Sequence, residues 1–190
     1  MRREGRTGVR TAGRLAAAAL ALCAFAGQGA HAQQRPLEYP VKAAFLHKFG
    51  AFVGWPSAAL GPASEPMTVC VVGPDPFGPA LDQAVRGQKV GGRSLRVERH
   101  RTVSRGAGCH ILYLRGSSAQ SVADGLAVTA GAPVLTVTDA ADGNARGVIH
   151  FVVVGGRVRF EIDDRAAARN GLTVSSKLLS LAVHVRPRER

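Results

Sequence analysis

Two cysteines carry the clearest potential for chemistry in this chain. Cys70 and Cys109 lie 39 residues apart, and the third cysteine, Cys23, falls in an N-terminal segment that we expect to be removed. An even number of cysteines in an exported protein favours pairing over free thiols. Closing so long a loop would stabilise the fold by roughly 4 kcal/mol. The sequence therefore predicts a disulfide between Cys70 and Cys109.

No catalytic pattern is complete. Ser175-Ser176-Lys177 lacks the Ser-x-x-Lys spacing because position 174 is Val174, and no Gly-x-Ser-x-Gly turn is present. Asp139 follows a predicted strand, where α/β sheets often hold ligands, although aspartates are also common in turns. Helix capping is the better interpretation of the serines. We therefore expect no enzyme and no catalytic residue; a hydrolase would have to use Ser175 or Asp139.

Metal and cofactor signals are also weak. The five histidines beyond residue 32 stand singly, without the short spacings of a metal site; they are His47, His100, His110, His150 and His184. Cys109 and His110 are adjacent, so on a strand they would face opposite ways. The segment at 73–78 is typical of a turn and lacks the Lys-Ser/Thr pair of a phosphate-binding loop. The sequence predicts no metal and no cofactor.

The N-terminus predicts export. Five arginines precede an apolar stretch at 15–25, and Ala30-His31-Ala32 precedes Gln33, which is the layout of a cleaved signal peptide at 1–32. Cleavage near Ala32 removes five arginines and one acid, so the net charge falls from +12 to +8. A basic protein favours acidic partners, but an exported one rarely meets nucleic acid. We expect an exported protein with one domain at 33–185 and a flexible tail at 186–190.

Hydrophobic periodicity predicts an α/β fold. Helices are expected at 41–55, at 117–130 and from Ser175 to about Val185, with a short one after Asp75, whose side chain would cap it with Pro76 at the first helical position. Strands are expected at 67–72, 94–100, 109–114 and 133–138. Alternating helices and strands indicate a mixed, largely parallel sheet flanked by helices.

The C-terminal half contains a predicted antiparallel hairpin. Apolar residues at 149–154 lead into Gly155-Gly156, a two-residue turn, and the return strand alternates apolar residues with Arg157, Arg159 and Glu161. Asp163 or Asp164 can cap the helix that follows, and Gly171 can end it. A separate group of charges, the basic cluster, is typical of a solvated strand face with its loop, although it could also face a membrane head group or an acidic protein. It comprises Arg93, Arg96, Arg99, Arg101 and Arg105.

Five segments in order resemble the YfiR-like family of periplasmic proteins. They are VKAAFLHKFGAFVGWP at 41–56, VCVVGPDPFGPAL at 69–81, CHILYL at 109–114, VLTVTDA at 134–140, and GVIHFVVVGGRVRFEIDDRAAARNGLTVSSKLLSLA at 147–182. The resemblance covers nearly all of the chain after residue 32. Cys70 and Cys109 match the paired cysteines of the family, whereas the second cysteine pair of some members is missing.

The resemblance implies regulation without catalysis. The type member of the family binds the periplasmic sensor domain of a membrane diguanylate cyclase and holds it inactive, so we expect this chain to act on such a cyclase or on another membrane signalling protein. The type member is often a homodimer, and an outer-membrane lipoprotein can sequester it, so we expect the same two partners here. Arg157, Arg159 and Glu161 are the partner-binding candidates of the hairpin. The alternative is a periplasmic small-molecule sensor with its ligand at the strand ends near Gly73 and Asp139.

Overall fold

The computed structural model describes residues 35–189, so the predicted signal peptide lies outside the described residues. The helices are α1 (Arg35–Phe49), α2 (Pro79–Val85), α3 (Val122–Thr129), α4 (Asp164–Arg169) and α5 (Ser176–Leu179). The strands are β1 (Val53–Gly54), β2 (Met67–Val72), β3 (Lys89–Val90), β4 (Arg93–His100), β5 (Ile111–Leu114), β6 (Leu135–Asp139), β7 (Ile149–Val154), β8 (Arg157–Asp163), β9 (Thr173–Val174) and β10 (His184–Arg186).

Eight strands form one mixed sheet in the order β10-β8-β7-β6-β5-β2-β4-β3. The five strands from β7 to β4 in this order run parallel to one another, while β8 pairs antiparallel with β7 and β3 pairs antiparallel with β4. All residues of β2, β5 and β6 are buried, as expected for central parallel strands covered on both faces. The predicted α/β class with a C-terminal hairpin is confirmed.

Helix α1 covers one face of the sheet with aromatic side chains. Phe49 packs against Phe151 and Phe160 of the hairpin, with ring centroids 5.7 and 5.1 Å apart. The helix ends at Phe49, earlier than predicted, because the chain then tightens into a 3₁₀ turn and becomes extended at Val53, which pairs with Val174. The apolar periodicity continues through this turn and cannot report the change.

The predicted helix start at Asp75 and Pro76 is wrong. Helix α2 begins three residues later, with Pro79 in its first turn and Gly78 before it at φ +51°. The Asp75 carboxylate instead accepts a hydrogen bond of 2.7 Å from the Phe77 N–H, which forms a turn that mimics a cap. Two prolines with the same helix-start signal stand close together, and the second begins the helix.

The predicted helix through Val185 is also wrong. Helix α5 ends at Leu179, and His184–Arg186 forms β10, which pairs parallel with β8. The predicted tail boundary at 186 therefore falls inside a strand, and Arg188 beyond it pairs with Asp164 at 2.7 Å. The short apolar run fits a strand or a helix equally well, and pairing with the free edge of β8 decides between them.

Candidate functional site

The structure contains the Cys70–Cys109 disulfide. Cys70 lies in the middle of β2, and Cys109 lies two residues before β5, the parallel neighbour of β2. Cys70 is fully buried and Cys109 is 7% exposed. The bond belongs to a second, smaller apolar core on the sheet face opposite α1, with Val72, Val103, Leu112, Leu114 and Val122. It therefore ties the middle of β2 to the segment that leads into β5.

A histidine lies beside the disulfide. The metal-ligating atoms of Cys70, His100 and Cys109 all lie within 4.8 Å of one another. His100 arrives there because β4 pairs in parallel with β2, which sets Val72 opposite His100. The ring Nε2 lies 3.2 Å from a carboxylate oxygen of Glu98. No local spacing in the sequence predicts this cluster, because only the register of the strands brings its members together.

A cleft of about 720 Å³ opens next to the disulfide. Its lining includes Cys109, Thr68, Arg96, Arg105 and His110, and we call it the disulfide cleft. The Thr68 N–H donates a 3.0 Å hydrogen bond to Nδ1 of His110. Burial lowers the pKa of His110, an effect that Arg93 and Arg96 reinforce. The cleft thus combines apolar walls, a neutral imidazole and nearby guanidinium groups.

The carboxyl ends of the central strands hold a buried ion pair that sequence reasoning missed. Lys42 of α1 is fully buried, and its ammonium contacts the Asp139 carboxylate, which is 2% exposed, as well as Glu38. Burial disfavours the charged ammonium, but the two carboxylates outweigh this penalty and raise the pKa of Lys42. The Tyr113 hydroxyl lies 3.3 Å from the same Asp139 oxygen.

This ion pair changes the interpretation of the predicted ligand position near Gly73 and Asp139. The Asp139 carboxylate faces the ammonium of Lys42, and its other oxygen accepts a 3.0 Å hydrogen bond from the Ala141 N–H. The Gly73 N–H donates to the His100 carbonyl at 3.0 Å. Both predicted groups are therefore engaged by the chain itself, and the large cleft lies elsewhere, beside the disulfide.

The predicted partner-binding residues share one face of the hairpin. Arg157, Arg159 and Glu161, which we call the hairpin face, alternate along β8 with apolar residues that face α1. Arg157 and Arg159 are exposed, and among residues 35–189 neither forms an ion pair, whereas Glu161 pairs with Arg146. Val154, opposite Arg157, is 53% exposed. This surface is accessible, basic and partly apolar.

The basic cluster is largely structural. Arg99 bridges Asp75 at 2.7 Å and Asp82 at 2.6 Å, which fixes α2 over the edge of the sheet. Arg93 donates to three backbone carbonyls of the loop at 61–65. Arg101 and Arg105 remain exposed. Since the strand positions serve neighbouring loops, this cluster is a weaker docking candidate than the hairpin face.

Ser175, the serine that a hydrolase would need, caps α5. Its hydroxyl oxygen accepts a 3.3 Å hydrogen bond from the Leu178 N–H. Asp139, the other candidate, holds Lys42. The geometry therefore assigns structural contacts to both residues.

Comparison with known protein families identifies one match. The model of a family described as YfiR/HmsC-like matches residues 39–183, from α1 to the residue before β10. No curated protein matches the chain. Among residues 35–189, no helix is long and apolar enough to cross a membrane.

Proposed function

The chain belongs to the YfiR/HmsC-like family, known for periplasmic regulators of diguanylate cyclases, and we propose that it binds and inhibits the periplasmic domain of such a cyclase. The observation that carries this proposal is the family match over residues 39–183. A disulfide in the core supports an oxidising compartment, because such bonds persist in the periplasm and are rare in the cytoplasm. Export through the signal peptide at 1–32 is part of the proposal.

We propose the hairpin face as the docking surface. Arg157 and Arg159 are exposed on β8, beside the exposed Val154 of β7. Arginine is enriched in protein interfaces because it combines charge with apolar contact area. The base of the face borders a cleft of about 460 Å³ whose lining includes Arg146, Arg169 and Arg186. Such a surface complements an acidic segment of the partner and would accelerate its association.

Two further partners follow from family membership and are proposed on that basis alone. One is a second copy of the chain, because the resemblance to the family implies a homodimer. The other is an outer-membrane lipoprotein that sequesters the regulator and so releases the cyclase. Sedimentation of the 33–190 chain tests the first, and a dependence of cyclase release on a lipoprotein gene tests the second.

Cyclic di-GMP measurements test the cyclase proposal. Deleting the gene should raise intracellular cyclic di-GMP and biofilm formation, and a plasmid copy should restore both. The Arg157→Glu/Arg159→Glu variant should fail to restore them while keeping the wild-type melting temperature. The matched control is Arg86→Glu/Arg101→Glu, which reverses two exposed charges beside α2 and β4, near the opposite edge of the sheet, and should restore repression. Unchanged cyclic di-GMP in the deletion strain would refute the proposal.

The disulfide cleft favours a second candidate, a small-molecule sensor. Its volume lies within the usual range of ligand sites, and its apolar walls carry a few convergent polar groups. A thermal-shift screen of periplasmic metabolites should then find a compound that raises the melting temperature of the wild-type protein but not of an Arg105→Glu variant. A stabilising compound that acts equally on both proteins would argue against this site.

A further inference from the structure

We propose that the reduced protein binds a zinc ion through Cys70, Cys109 and His100. The three ligand atoms already lie within 4.8 Å of one another. Cys70 belongs to β2, His100 ends β4, and Cys109 lies two residues before β5. Two thiolates and one imidazole form a ligand set that zinc prefers, with water available for the fourth position. This role goes beyond the proposed inhibition of a cyclase and does not depend on it.

The geometry requires only a small adjustment. Zinc–sulfur bonds of about 2.3 Å at a tetrahedral angle hold two sulfurs about 3.8 Å apart. Breaking the Cys70–Cys109 bond allows that separation, because the Cα atoms are 5.7 Å apart. Cys109 lies outside β5 and follows a loop with glycines at 106 and 108, so it can shift without disturbing a strand.

His100 is oriented for coordination. Glu98 contacts its Nε2 at 3.2 Å, which leaves Nδ1 for the metal. A carboxylate on the second nitrogen is the usual partner of a metal-bound histidine, because it fixes the ring and increases its basicity. The His100 side chain is 35% exposed, which provides a route for the ion from solvent.

The disulfide can be reached by a reductant. Cys70 is fully buried, whereas Cys109 is 7% exposed and lines the disulfide cleft, so the Cys109 sulfur is the one that an external dithiol would attack. The S–S bond breaks, Cys70 leaves as a thiolate, and the second sulfur of the dithiol then releases Cys109 as the dithiol closes to its own disulfide. Two electrons pass from the dithiol to the cysteine pair. Zinc binds the two thiolates, and any protons that they carried pass to water.

Cobalt titration tests the proposal on the folded 33–190 protein. Reduced protein, freed of reductant under anaerobic conditions, should develop thiolate-to-cobalt charge-transfer bands at one equivalent of Co²⁺, and Zn²⁺ should displace them. Oxidised protein should show none. His100→Ala should weaken the affinity by about tenfold or more, since even the loss of a residue that only orients a metal ligand costs that much. The matched control, His184→Ala, removes an exposed histidine of β10 and should bind like wild type.

Circular dichroism and melting curves of the same samples show whether each reduced protein is folded and whether zinc stabilises it. Zinc should raise the melting temperature of reduced wild type by more than that of reduced His100→Ala, and it should leave the oxidised protein unchanged. A folded reduced protein without cobalt bands would overturn the proposal. Cobalt bands and affinities that are equal in wild type and His100→Ala would also overturn it, since the two cysteines alone would then explain binding.

Discussion

Removing the disulfide is expected to cost the protein a large part of its stability. The bond closes a loop of 39 residues, and the chain-entropy relation gives roughly 4 kcal/mol for a loop of this length at 25 °C. The total free energy of unfolding of a small domain is only about 5–15 kcal/mol. For a domain of this size the melting temperature should fall by about 8–16 °C.

Urea unfolding of the 33–190 chain at pH 7 measures this cost. Oxidised wild type, wild type reduced in the presence of a chelator, and the Cys70→Ala/Cys109→Ala variant should be compared. The reduced protein is the cleaner comparison, because each alanine also removes a buried sulfur from the smaller core. Both uncrosslinked proteins should unfold at lower urea concentration, and with a larger m-value, because their unfolded chains expose more surface.

The two uncrosslinked proteins serve as controls for each other. Reductant should have no effect on the double alanine variant, which separates the disulfide from any other action of the reagent. A loss below about 1 kcal/mol on reduction, with an unchanged m-value, would refute the reasoning. It would mean that residual structure already restricts the unfolded chain when the bond is absent.

Two further predictions concern buried titratable groups. Lys42→Met should lower the free energy of unfolding by about 3–5 kcal/mol, because it leaves the Asp139 carboxylate buried without its partner; the exposed control Lys48→Met should change it little, and equal urea midpoints for the two variants would contradict the prediction. Since the folded pKa of Lys42 is raised, its contribution is complete below the unfolded value of about 10.4 and is lost as the pH rises through the folded pKa, so wild type should lose its advantage over Lys42→Met in that alkaline range. His110 has a lowered pKa and accepts the Thr68 N–H, so the unfolded chain binds its proton more readily and stability should fall as the pH drops below about 6.5. Melting curves at acid and neutral pH should show a smaller acid loss in His110→Gln than in wild type, and an identical loss would contradict the assignment.

The hairpin and the strand β2 could be predicted because each is encoded by a pattern of neighbouring residues. The hairpin followed from period-two alternation around Gly155-Gly156, and both glycines have positive φ, as a tight turn of this kind requires. The buried strand β2 followed from a continuous apolar run. The end of α1 and the strand β10 were not predicted, because each depends on pairing with a segment far along the chain.

Among the site residues, the disulfide could be predicted from the sequence, whereas the contacts of Lys42 and His100 could not. Cysteine parity was enough to predict the Cys70–Cys109 bond. Lys42 meets Asp139 across 97 positions of sequence, and no spacing rule connects them. His100 reaches the disulfide only through the register of β4 on β2, so a histidine that stands alone in the sequence becomes part of a cluster in the sheet.

The placement of the disulfide also affects how the protein withstands proteolysis. The loop closed by Cys70 and Cys109 contains α2, β3 and β4, which form one outer edge of the sheet. If this edge opens locally and a protease cuts within 71–108, the two fragments remain joined by the sulfur bridge and can close again around the same core. Electrophoresis of nicked protein should therefore show one band without reductant and two with it. Outside the cytoplasm, this edge can be damaged without the molecule falling apart.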